Sequence, residues 1–309
     1  MDSVSQIVLG TAACHVLAGK QLGRKALILG AVLGAAPDLD VLINYGDAVS
    51  NHTNHRGFSH SIFVLTLLTP IIGFLLRRFA AFKEIAHKRL LMAIWLALVT
   101  HPILDSFTVY GTQLFWPLNR TPESWASIFI IDPLFTVPLL ITGLWALFKK
   151  PYWVHLSVIG LLVSSSYLAW TLYAKTQVIY HMKRELARQG ISYQGLKVTP
   201  GRYNTVNWRG VIMDRDVFYE TRASVLQPNT QLNFNAYNHN KQWMKNLENN
   251  AAAQRIAWFT AGFYKITDRQ KMIVISDLRM GSEGFSIFEF AVADANDLSK
   301  PFWPRYAPR

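Results

Sequence analysis

Four apolar runs, residues 62–79, 90–110, 128–148 and 153–173, constrain this chain more than any other feature. A backbone in hydrocarbon must satisfy its own hydrogen bonds, and a helix needs about 20 apolar residues to cross. Runs of this length therefore predict membrane-spanning helices. Two shorter apolar segments, 4–19 and 26–36, precede them and are expected to re-enter or to pack inside the bundle. The second contains Gly30-Ala31-Val32-Leu33-Gly34, a small-residue spacing that permits close helix approach. Pro37 is expected to end that segment.

Charge is scarce and unevenly placed. Only 16% of residues are Asp, Glu, Lys or Arg, against about 25% in an ordinary soluble domain. The deficit lies before residue 175. Beyond it, residues 175–190 read as an amphipathic helix, 240–261 as a helix, and 207–212, 216–226, 271–278 and 285–292 as strands. The expected fold is a polytopic α-helical membrane domain, residues 1–174, followed by a smaller α+β extramembrane domain of mostly antiparallel strands, residues 175–309. The single cysteine, Cys14, allows no internal disulfide. No basic residue precedes the first apolar segment and no cleavage pattern follows it, so the first helix is expected to be retained.

The net charge of +12 fits basic loops beside anionic lipid. No aromatic-interleaved basic stripe accompanies it, which argues against a nucleic-acid partner. Arg77, Arg78, Lys83, Lys88 and Arg89 place the loop after residue 76 in the cytoplasm, and Lys149-Lys150 fall on the same side. Residues 38–60, 111–127 and everything after 173 then lie on the outer face.

Polar side chains in this apolar frame are costly. They occur as Pro37-Asp38-Leu39-Asp40, His55-Arg56-Gly57-Phe58-Ser59-His60-Ser61 and His101-Pro102-Ile103-Leu104-Asp105. His101 and Asp105 share one helix face by their spacing of four. Taken singly, each motif has a plain structural explanation. Asp38 and Asp40 suit a turn after a helix, His55 and His60 suit polar surface, and Ser59 or Ser61 suits a helix cap. Together, Asp38, Asp40, His55, His60, His101 and Asp105 converge on the outer half of the membrane as oxygen and nitrogen ligand candidates. That set suits one or two divalent ions, zinc first, with manganese or iron as alternatives. Asp40 or Asp105 could instead act as general base, and Arg56 could clamp an oxyanion or contact a lipid headgroup. His15 is a weaker extra ligand candidate, and Asp132 suits a helix N-terminus.

At these motifs the chain resembles the bacterial membrane-bound metal-dependent hydrolases, some of them regulated by the LexA repressor. The resemblance starts at Asp2-Ser3-Val4-Ser5-Gln6 and Leu22-Gly23-Arg24-Lys25-Ala26 and continues through the three His/Asp motifs to Tyr110-Gly111-Thr112. It is weaker between Thr199 and Trp208 and at Ser276-Asp277-Leu278-Arg279-Met280-Gly281. The motifs are also similar to those of zinc-dependent phospholipase C proteins. The resemblance implies a bacterial inner-membrane location and carries Asp38, Asp40, His55, His60, His101 and Asp105 over as metal positions. His15 and Gln6 depart from the family pattern, where an acidic residue and, in some members, a histidine stand.

The expected activity is hydrolysis of an ester or phosphoester amphiphile by a metal-activated water, with membrane lipids as partners. The alternative is a divalent-metal or proton transporter using the same residues. The lack of an inverted repeat and the one-sided placement of the cluster weigh against it.

Overall fold

The computed structural model describes residues 1–148, 153–298 and 300–307. Lys149-Lys150, used above for orientation, lie outside them. The chain divides into two compact units. One comprises Met1–Leu42, Arg56–Leu172 and Arg202–Asn204, the other Ile43–His55, Tyr173–Gly201 and Thr205–Arg309.

The first unit is helical. Helices α1 (Ser3–Leu22) and α2 (Arg24–Ala35) are joined at Gly23. After α3 (Ala48–Asn54), which belongs to the other unit, come α4 (Ile62–Leu76), α5 (His87–Ser106), α6 (Pro133–Phe148) and α7 (Trp153–Arg188). Asp2 caps α1 and Ser61 caps α4, each side chain accepting a backbone N–H of the first turn. Asp132 Oδ1 accepts the N–H of Leu134 at the start of α6 and its Oδ2 accepts the Tyr167 hydroxyl.

The apolar pattern dictates the packing. On α4, Leu65, Thr69 and Gly73 recur every four residues and are buried, while Phe63, Leu67, Ile71 and Phe74 face out. Ile141, Leu144, Trp145 and Phe148 of α6 are exposed as well. Exposed apolar faces of this extent suit contact with lipid. Inside, Cys14 and Ala18 of α1, Leu33 of α2 and Leu65 of α4 pack with Leu90, Ile94 and Leu98 of α5.

The close approach of α1 and α2 depends on glycine. A Cβ on Gly30 would lie 2.4 Å from the Gly10 carbonyl oxygen, and one on Gly10 would lie 2.6 Å from Gly34 Cα. The Gly30 to Gly34 motif thus serves as expected, and Gly10 completes it from the facing helix.

Among the described residues, two helices, His87–Ser106 and Val154–Arg188, are long and apolar enough to cross a membrane, or up to three if the helical stretch before α4 is counted with it. This corrects the expectation of four separate spans. Helix α4 has 15 residues and α6 has 16, short of the ~20 that a perpendicular crossing needs. The run at 128–148 loses its first five positions because Pro133 opens α6. The predicted span at 153–173 and the predicted amphipathic helix at 175–190 are one continuous helix of 36 residues.

The second unit carries two four-stranded antiparallel sheets. In the first, β1 (Gly195–Pro200), β2 (Asn207–Met213), β3 (Val217–Ser224) and β4 (Asn235–Asn238) follow each other in order. Ala174, Val178 and Met182, at one turn spacing on α7, pack with Val198, Trp208 and Ala223 of this sheet. After α8 (Ala251–Phe259) come β5 (Tyr264–Arg269), β6 (Met272–Asp277), a small hairpin of β7 (Gly281–Ser282) and β8 (Phe285–Ser286), then β9 (Glu289–Asp294) and β10 (Arg305–Tyr306). The second sheet has the order β10-β9-β6-β5. Ala253 and Ile256 of α8 pack on Ile266, Ile275 and Phe290.

Three expectations here need correction. The predicted helix at 240–261 is a short 3-10 turn, Lys241–Leu247, followed by α8. Strands β1, β4 and β5 carry no strong alternating pattern and went unpredicted. The run at 285–292 is split between β8 and β9.

Buried ion pairs hold the sheets internally. Arg209 on β2 makes a two-pronged contact with Glu220 on β3, at 2.8 and 3.2 Å, and also donates to the Leu278 carbonyl. Arg279 clasps Asp277 at 2.7 Å and lies over the Phe259 ring.

Gly30→Val is expected to lower the thermal midpoint of the solubilised protein, at an overpacking cost of about 1–3 kcal/mol. Gly143→Ala, where a Cβ meets nothing within 4 Å, should leave the midpoint unchanged or raise it. Glu220→Ala strands a buried guanidinium and should destabilise the full chain by about 3–5 kcal/mol in chemical denaturation.

Candidate metal centre

Three local features deliver the site. Helix α5 continues through Pro102 to Ser106, so His101 and Asp105 stand one turn apart on the same buried face. Helix α2 runs directly into the 3-10 turn Ala36–Leu42, which carries Asp38 and Asp40. The short turn Phe58–His60 ahead of α4 brings the His60 ring inward, with no exposed surface.

Asp38, His60, His101 and Asp105 form one group able to hold a metal ion. His60 Nε2 lies 3.4 Å from Asp38 Oδ1 and 3.3 Å from Asp105 Oδ2. His101 Nε2 lies 3.3 Å from Asp38 Oδ1 and 3.6 Å from Asp105 Oδ2. A tetrahedral ion with ligand bonds of about 2.0–2.1 Å has ligand–ligand edges of about 3.3–3.4 Å. The spacing therefore fits such an ion.

The protonation pattern supports the same fit. His101 Nδ1 donates to the Gly34 carbonyl at 2.6 Å, which leaves a lone pair on Nε2. The Ser59 hydroxyl gives its proton to Asp40 Oδ2 at 2.6 Å, so it accepts from His60 Nδ1 at 2.9 Å. In the neutral ring, His60 Nε2 then also carries its lone pair inward. Two imidazole lone pairs and two carboxylate oxygens thus face one another. Among the described residues, Asp38 Oδ1, His101 Nε2 and Asp105 Oδ2 have no hydrogen-bond partner. Four acceptors at this distance repel unless a cation lies between them.

The surrounding residues lock the ligands. Asp105 Oδ1 accepts from the Gln6 side-chain amide at 2.9 Å and contacts the Met1 amine. Arg56 Nε lies 3.1 Å from Asp105 Oδ2. The Arg56 guanidinium also donates to Thr108 Oγ1 and stacks over the Tyr110 ring. Arg56 has a left-handed backbone, φ 63°, and its N–H is held by Asp40 Oδ2 at 3.0 Å.

The structure places the predicted residues as follows. Asp38, His60, His101 and Asp105 come together. Asp40 stands outside this group of four, supporting His60 through Ser59 and Arg56 through its backbone. His55 follows α3 and belongs to the second unit. Arg56 is buried against Asp105 and is not an exposed headgroup contact. His15 bonds Ser157 at 2.8 Å as a packing residue of α1. Asp132 serves the start of α6.

Sequence reasoning missed three supports: Gln6, Ser59 as a relay to His60, and Thr108. The available signals were Gln6 standing where some members of the resembled family have a histidine and Ser59 lying between the two histidines. Arg56→Met removes the cation beside a fully buried carboxylate. It is expected to cost about 3–5 kcal/mol of stability, read by thermal unfolding in detergent.

The profile of the YdjM inner membrane protein family matches residues 1–178, which include all four residues of the group. The chain is 28% identical over 173 residues to "Uncharacterized protein YfhP" of Bacillus subtilis (strain 168), covering 53% of this chain and 52% of that protein. It is 36% identical over 104 residues to "Inner membrane protein YbcI" of Escherichia coli (strain K12), covering 32% of this chain and 57% of that protein. The chain thus spans about half the length of the curated relatives it matches. No solved structure matches it. These names speak to an inner-membrane location and are silent on hydrolysis and on LexA. By a match over more than half of its length, with outward-facing apolar helices in the matched region, the chain belongs to the YdjM inner membrane protein family.

Proposed function

We propose that the chain is an inner-membrane, metal-dependent hydrolase acting on an ester or phosphoester amphiphile. The observation that carries this reading is the set of four inward-facing acceptor atoms on Asp38, His60, His101 and Asp105. A donor set of two imidazoles and two carboxylates suits zinc first, with manganese or iron also accommodated. A divalent ion held there supplies Lewis acidity and a hydroxide nucleophile near neutral pH.

The protein's own residues divide the remaining work. Asp105 is held by Gln6 and Arg56 and acts as a fixed anchor. Asp40 Oδ2 accepts from the Ser59 hydroxyl and the Arg56 backbone N–H, which suits it to orient His60 through Ser59. Asp38 is the accessible member, with 25% of its side chain exposed, against none for His60, His101 and Asp105. It is the member that would yield a coordination position to the water to be activated, as an open catalytic site requires. The neighbours of Asp38 on its short turn, Leu39, Val41 and Leu42, are largely exposed and apolar. An apolar rim beside the open carboxylate suits a substrate with a hydrocarbon tail. With the basic loop before α5 on the cytoplasmic side, the site at the other end of α5 lies toward the outer face.

Metal analysis of the purified full chain tests the site. Wild type is expected to hold a divalent ion, and His60→Ala and His101→Ala are expected to lose it. Asp40→Ala should keep the stoichiometry but weaken affinity about 10–100-fold, as loss of an outer support does. Equal, substoichiometric metal in wild type and all variants would sink the metal reading. A lipid and phosphoester panel, assayed with and without chelator, tests hydrolysis. Metal flux in proteoliposomes that disappears with His101→Ala, without turnover, would favour transport instead.

A further inference from the structure

Gln6 has a buried acceptor atom that the site described above does not use. The residue sits on α1 with 1% of its surface exposed. Its amide nitrogen donates to two acceptors, Asp105 Oδ1 at 2.9 Å and the His101 carbonyl at 3.2 Å. Both partners only accept, so the amide cannot be flipped without setting oxygen against oxygen. The orientation of Gln6 is thereby decided by the ligand-bearing helix. Its other end, Oε1, is buried and has no hydrogen-bond partner among the described residues. A carboxamide spans little more than 2 Å between its nitrogen and oxygen, so Oε1 lies within about 5 Å of Asp105 Oδ1. An unmet buried carbonyl is costly, which favours a donor that arrives with the site's ligand.

We propose that Gln6 is a positioning residue whose Oε1 accepts a hydrogen bond from a proton-bearing ligand of the metal, whether water or a substrate N–H or O–H. This rests on the metal reading above and adds a polarity to it. Asp105 reads the amide nitrogen and thereby aims the oxygen. The site then prefers ligands that carry a proton over ligands of similar charge that carry none. The preference arises from α1, which supplies none of the four metal donors.

The test uses the cobalt(II)-loaded full chain in detergent and follows its visible absorption as ligands are added. Acetohydroxamate carries an N–H and N-methyl acetohydroxamate lacks it. Wild type is expected to bind acetohydroxamate about tenfold more tightly than its N-methyl form. Gln6→Met should abolish that preference, read as the ratio of the two hydroxamate affinities within the variant itself. Equal affinities of wild type for the two hydroxamates would overturn the proposal. So would a Gln6→Met protein that keeps the preference. The wild-type comparison stands even if the variant does not fold. Failure of wild type to bind cobalt at all, with His101→Ala indistinguishable from it, would instead remove the metal reading.

Discussion

The carboxylate of Asp105 has no exposed side-chain surface and lies within the helical unit. A buried charge persists only where opposing charge and donors surround it. The first unit is arranged around that requirement. Helix α1 supplies Gln6, the segment before α4 supplies Arg56 and His60, and α5 itself supplies His101. Removing any one of these leaves a charge or lone pair without compensation, so the elements are coupled through this point. Asp105 Oδ1 is met by Gln6 and the Met1 amine, and Oδ2 faces Arg56 Nε as well as the two imidazoles. The imidazole and carboxylate atoms gathered there make the group a candidate metal centre.

Backbone proximity makes the ring feasible. Gly10, Gly30 and Gly34 let α1 and α2 touch at backbone distance. The Gly34 carbonyl, at the end of that contact, accepts the His101 Nδ1 proton. The same glycine therefore serves packing and fixes a ligand's tautomer. The 3-10 turn that follows α2 carries Asp38 into the ring and Asp40 beside it. Two carboxylates two residues apart thus take different parts, one facing the imidazoles and one bracing them.

Much of the first unit was legible in the sequence. Apolar runs marked the helices, the spacing of His101 and Asp105 marked a shared face, and Pro37-Asp38-Leu39-Asp40 marked the end of α2. Helix lengths were less legible, because apolar composition does not show where Pro133 starts a helix or that residues 153–188 stay helical without a break. In the second unit, β2, β3, β6 and part of β9 showed strand character. Strands β1, β4 and β5 owe their state to pairing with neighbours, which local pattern does not encode. The place of residues 43–55 in the second unit, through Val49 packing with Ile256 and Phe290, had no local signal.

The chemistry of the centre follows the same division. Residue types and spacing alone determined that this is a membrane chain carrying a surplus of oxygen and nitrogen ligands in its apolar part. They could not rank those ligands, because Asp38 and Asp40, or His55 and His60, are equivalent in type and differ only in direction. The fold separates them in part: Asp38 and His60 join His101 and Asp105, while Asp40 Oδ2 holds Ser59 and the Arg56 backbone. The 3-10 turns set which side chain faces inward, and the Ser59 relay and the Gly34 carbonyl set which ring nitrogen keeps its lone pair. Direction and tautomer depend on partners distant in sequence, and so only the tertiary structure decided them.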